Sequence, residues 1–271
     1  MKSITYILAL VLLSSCSNKL YKTETEERVL KTGTLMEMNS EEFLVQNNTW
    51  NLKTSDNFKF YFDKSIDSKL AKEVSEIQEE NFSQIVKLMG IKKHEYPKII
   101  FFLFKNKNQK LTLTQVGSDA HAIAPNVYYL PKNAKGGQEV GHVITQAVWG
   151  FIPNDSEYAL LIDEGFNYYI DNVKFYDGKL DEYALEYINS NPEFKITDLT
   201  KNGNGLRNNG GHNQNVSYVA GSFVKYLIEK YGTKKFGDIW KSAVKDSEPE
   251  FKNIYGKELK QIGIEYINSL K

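Results

Sequence analysis

The chain has a single cysteine, Cys16, among 271 residues, only four histidines, and 34 basic residues set against 34 acidic ones. One thiol excludes a disulfide within the chain and any zinc site built from thiolates. Four histidines leave a short choice of imidazole ligands for a metal: His94, His121, His142 and His212. Balanced charge removes the electrostatic reason to expect a nucleic-acid partner. Long apolar runs are lacking as well, since the stretch over residues 4–13 falls well short of the roughly 20 residues that span a bilayer. The sequence contains no internal repeat.

What is present begins at the N-terminus. Lys2, the short apolar run and Leu13-Ser14-Ser15-Cys16 follow the positive, apolar, small order of a secretory leader. The last four residues resemble a bacterial lipobox, which implies removal of residues 1–15 and a lipid on Cys16. An ordinary leader with an incidental cysteine is the plainer alternative. The implied location is exported and membrane-anchored, on the periplasmic side or at the outer membrane, because Ser17 resembles an outer-membrane sorting signal of some bacteria. Residues 16–50 are polar and mixed in charge and read as a tether, with Phe43-Leu44-Val45 as a piece that can dock. Residues 51–271 then form one folded domain, for which 41% hydrophobic residues, with 17 Tyr and 15 Phe, supply a core.

The domain is expected to open with a strand over residues 58–62, followed by a helix from an Asp67 cap to Met89 before Gly90. The aromatic and β-branched run over residues 98–104 reads as a buried strand. Residues 120–124 and 127–130 read as two more extended segments, and helical spacing dominates after Pro131. Strands first and helices second predict an α+β fold, with a small mixed sheet lobe followed by a mostly helical lobe. Residues 201–215, rich in Asn and Gly, read as a surface loop.

Residues 136–149 place Val140, Val143, Ile144, Ala147 and Val148 on one helical face, with Gln138 and His142 together on one side. Here the chain resembles the zincin motif H-E-x-x-H, with Gln138 in the first histidine's place and with Glu139 and His142 matching. Two later segments strengthen the resemblance. Asp163-Glu164-Gly165-Phe166 is similar to the gluzincin helix that carries a third, glutamate ligand, and Tyr218-Val219-Ala220-Gly221 to the helix that carries a tyrosine.

The resemblance implies a zincin-like fold, His142 and Glu164 as metal ligands, Glu139 as general base and Tyr218 as donor to the oxyanion of a peptide-cleaving reaction. It also implies a strand that pairs with the substrate backbone, for which Ala120, His121 and Ala122 are the candidates.

Gln138 alters that expectation, because an amide oxygen is a much poorer zinc donor than an imidazole nitrogen. Zinc is expected to be weakened or absent. The favoured reading is a degenerate peptidase domain that binds peptide or protein without efficient cleavage. One alternative keeps an active zinc peptidase, with Gln138 ligating through oxygen or His121 or His212 completing the shell. Another is a structural lipoprotein.

Overall fold

Strand β3 (Ile99–Leu103) is the middle strand of a five-stranded sheet, and its unbroken apolar run follows from having both faces covered. The order across the sheet is β1 (Trp50–Thr54), β2 (Phe58–Asp63), β3, β5 (Asn126–Tyr129) and β4 (Ala120–Ile123). The outer pairs β1/β2 and β4/β5 are antiparallel, whereas β2/β3 and β3/β5 are parallel. The computed structural model describes residues 35–92, 96, 98–152, 156–171, 178–200, 207, 208, 211, 212, 214–244 and 249–271. Cys16, His94 and most of the loop expected over 201–215 lie outside the described residues.

One face of the sheet, with Phe58, Phe60, Phe62, Phe101, Leu103, Val127 and Tyr129, joins the main core. The helices facing it are α3 (Ser68–Met89) and α5 (Gln138–Val148). Helix α3 has the expected bounds: the Asp67 carboxylate accepts from the Lys69 N–H, and Gly90 at φ 64 closes the other end. Two polar residues inside this helix are buried for a reason. Gln78 donates to the carbonyls of Ala134 (2.7 Å) and Gly136 (2.8 Å), and Asn81 to that of Lys135 (3.1 Å), which fixes the turn leading into α5.

The other face carries Tyr61, Phe102, Phe104, Tyr128 and Leu130, and the chain covers it with its own N-terminal part. Helices α1 (Leu35–Met38) and α2 (Glu41–Asn47) precede β1, and Leu44 is fully buried. Trp50 packs edge-on to Tyr61, Phe102 and Phe104 and donates from Nε1 to the Leu44 carbonyl at 2.8 Å. Docking therefore extends well beyond Phe43-Leu44-Val45, and the folded part starts before the strand at Phe58. Strand β1 escapes a sequence reading because it is an edge strand with four of five residues exposed, so no alternation marks it.

Helix α4 (Lys107–Thr114) links β3 to β4. Beyond α5 helices dominate the described residues, as expected. A π-helical turn (Ala159–Glu164) runs into α6 (Gly165–Ile170), then come α7 (Leu180–Ser190), α8 (Gln214–Tyr231), α9 (Thr233–Val244), α10 (Phe251–Tyr255) and α11 (Leu259–Ser269). A short hairpin, β6 (Arg207–Asn208) with β7 (Gly211–His212), precedes α8. Helix α8 packs against α6, α7 and α9. The result is a mixed α+β domain. Among the described residues, no helix is long and apolar enough to cross a membrane.

Candidate functional site

Helices α5 and α6 meet at two glycines. A Cβ on Gly141 would lie 2.5 Å from Ile170 Cδ1 and 3.0 Å from Asn167 Oδ1, so a larger residue there would have to displace both side chains. At the start of α5, the Gly137 N–H donates to Asp171 Oδ1 at 2.9 Å, which caps one helix with the end of the other. This face-to-face packing brings the first two motif segments together. Glu139, His142 and Glu164 lie close enough for each carboxylate to act on the imidazole, and the two carboxylates on each other.

A cavity of about 190 Å³ opens at this junction, lined by Ala120, Tyr129, Asn133, Gly136, Gln138, Glu139, Tyr168 and Asp171. Its wall thus combines the edge strand β4 with the first turn of α5. Tyr168, rather than Tyr218, is the aromatic residue of the helical wall. The Tyr218 ring stands behind it, 5.8 Å from that of Tyr168 and 5.0 Å from that of Tyr183.

The register of β4 determines what the strand offers. The Leu130 N–H donates to the Asp119 carbonyl at 2.9 Å, and bonded pairs alternate along an antiparallel ladder. His121↔Tyr128 and Ile123↔Asn126 are then the bonded pairs, while Ala120↔Tyr129 and Ala122↔Val127 are not. The backbone groups of Ala120 and Ala122 consequently point away from β5, toward the free edge. The Ala120 carbonyl accepts from Ser118 Oγ at 2.7 Å. Both alanine side chains pack on the main core, and their small size allows α5 to approach closely.

His142 is committed within the chain. Its Nδ1 lies 3.1 Å from Asp163 Oδ1, and Asn167 Nδ2 lies 3.1 Å from each ring nitrogen. The Asn167 amide is itself held by the Asp163 carbonyl at 2.8 Å. Burial opposes a charged imidazole, but Asp163, with Glu139 and Glu164, raises His142 to about 10. As an imidazolium it has no lone pair for a metal. As a neutral ring it would donate from Nδ1 to Asp163 and accept at Nε2 from Asn167.

Glu139 is raised to about 7, first by burial and then by Glu164 and Asp171, while His142 and Lys110 pull in the opposite direction. The Lys110 ammonium is completely buried, donates to the carbonyls of Ser118 (2.8 Å) and Val116 (3.3 Å), and is lowered to about 8 by burial. It thereby anchors the loop that leads into β4.

His121 lies on the binding-strand candidate, but its ring turns to the face opposite the alanines and stacks on Tyr128 at 4.3 Å. Burial and Lys110 lower it to about 3. Gly211–His212 forms the second strand of the short hairpin before α8. Sequence reading passed over Asp163, Asn167, Asp171, Lys110 and Tyr168. The available signal was helical spacing, since Asp163, Asn167 and Asp171 recur every four residues beside Glu164 and so share one face.

Neither a protein-family model nor a curated protein matches the chain significantly.

Proposed function

We propose that the chain is an exported, lipid-anchored protein whose gluzincin-like domain binds peptides by strand addition without metal-dependent cleavage. The observation that carries this reading is the juxtaposition of the outer edge of β4, at Ala120 and Ala122, with a cavity whose other wall holds Gln138 and Glu139. An extended peptide laid along β4 gains main-chain hydrogen bonds, and its side chains enter the cavity. The edge strand β4 packed against α5 supports the gluzincin-like reading, in which a strand beside the motif helix pairs with the substrate backbone.

The donor set does not fit zinc. Gln138 offers an amide oxygen, and the pairing of His142 Nδ1 with Asp163 Oδ1 favours an imidazolium, which has no lone pair for a metal. A second reading, an active hydrolase, draws on one observation: Glu139 faces the cavity and titrates near neutrality, as a general base should.

The two readings separate in one assay on the full chain. A random extended-octapeptide pool should be retained with dissociation constants of about micromolar order, equally with and without a chelator, and should remain uncut. Cleavage that disappears with the chelator and in Glu139→Gln would replace the binding reading with the enzymatic one. Neither retention nor cleavage of peptide would remove both.

A further inference from the structure

Asn39 is 1% exposed although it lies in the N-terminal stretch whose sequence reads as a tether. Its Nδ2 donates to the carbonyls of Leu35 (2.8 Å) and Thr114 (2.9 Å), which uses both amide hydrogens. Its Oδ1 is then an acceptor, and the partner at 3.1 Å is His121 Nε2. That contact fixes the neutral Nε2–H tautomer, with Nδ1 buried and unpartnered. The Asn39 backbone carbonyl accepts from Asn126 Nδ2 (2.9 Å) and from the Tyr128 hydroxyl. One side chain and one carbonyl thus join α1, the end of α4, β4 and β5.

An edge strand has a ladder partner on one side only, so its lateral position depends on what grips its two faces. For β4, α5 packs on the alanine face, while on the other face His121 is held between Asn39 and the Tyr128 ring. We propose that Asn39 is a positioning residue for the binding strand, so that the N-terminal segment is a working part of the peptide site as well as a cover for the sheet. The proposal rests on the peptide-binding reading. It implies that the chain between the anchor and the domain ends in a clasp on the strand that receives the ligand.

The test uses the full chain carrying Asn39→Ala, with Ile262→Ala in α11 as a buried control away from the sheet. Amide exchange is followed at His121 and Ile123, whose N–H groups bond to β5, and at Phe60 and Phe101 in the sheet interior. In Asn39→Ala, exchange at His121 and Ile123 should rise by about tenfold or more relative to Phe60 and Phe101, while the control changes all four together. Octapeptide affinity should fall by about fivefold or more in Asn39→Ala and stay unchanged in the control, at a temperature where both are fully folded. Exchange that rises uniformly in both variants overturns the proposal, as does selective loosening of β4 without loss of affinity. If the unaltered chain binds no peptide, the peptide reading fails, and positioning of β4 by Asn39 stands or falls on the exchange pattern alone.

Discussion

Gly165→Val is expected to leave no folded domain at physiological temperature, and Gly165→Ala to cost about 3 kcal/mol, the upper end for overpacking a close contact. A Cβ at Gly165 would lie 2.8 Å from the Ala220 carbonyl oxygen and 2.8 Å from Val224 Cγ2, and the oxygen belongs to a helix backbone that cannot rotate away. Across the same interface, a Cβ at Gly221 would meet Tyr168 Cβ at 2.7 Å. Helices α6 and α8 must therefore part together, and Tyr168 leaves the cavity wall as they do. Urea unfolding of the alanine variant measures the cost. A change within about 0.5 kcal/mol, the range of ordinary surface substitutions, would show that the helices are not in the contact described.

Asp163→Ala should cost about 3–5 kcal/mol, because it removes one partner of a buried pair and leaves the other without compensation. Asp163 is 9% exposed at its side chain and His142 20%, so solvent screens the pair only weakly. The pH dependence gives a second readout. The folded value of His142 is raised from 6.5 to about 10, so the folded state binds the proton more tightly than the unfolded chain. Its stabilisation is complete below about 6.5 and is lost as pH rises through about 10. Unfolding midpoints should fall over that window for the unaltered chain and decline less for Asp163→Ala. Parallel profiles would mean that Asp163 does not hold the imidazole.

The sequence disclosed most where a single local rule governed. The Asp67 cap and Gly90 delimit α3, and apolar spacing delimits α5. The run over 98–104 correctly reads as a buried strand, yet its continuity carried a further message. A strand apolar on both faces needs two covers, and helices after Pro131 supply only one. The second is the N-terminal segment, hidden by its polar composition because the contact is made by scattered residues, among them Asn39, Glu41, Phe43, Leu44 and Trp50.

The sequence offers the candidate site as three motif segments, of which the third contributes a packing helix while Tyr218 is not among the cavity-lining residues. The packing of their helices depends on glycines at positions 141, 165 and 221; Gly165 and Gly221 stand inside the motif segments, but the neighbours that press on them come from other helices and are not legible along the chain. The engagement of His142 was not legible at all. Asp163 and Asn167 act on it across a helix interface, a distance in space unrelated to distance along the chain.

The most direct measurement is a titration of an isotopically labelled, chelator-treated chain with an extended peptide, following backbone amides. The shifts of Ala120 and Ala122 should move first and saturate together with those of Gln138 and Glu139, while those of β1 stay fixed. Perturbation confined to β1, or a response at β4 that appears only after zinc is added, would contradict metal-independent binding at this edge.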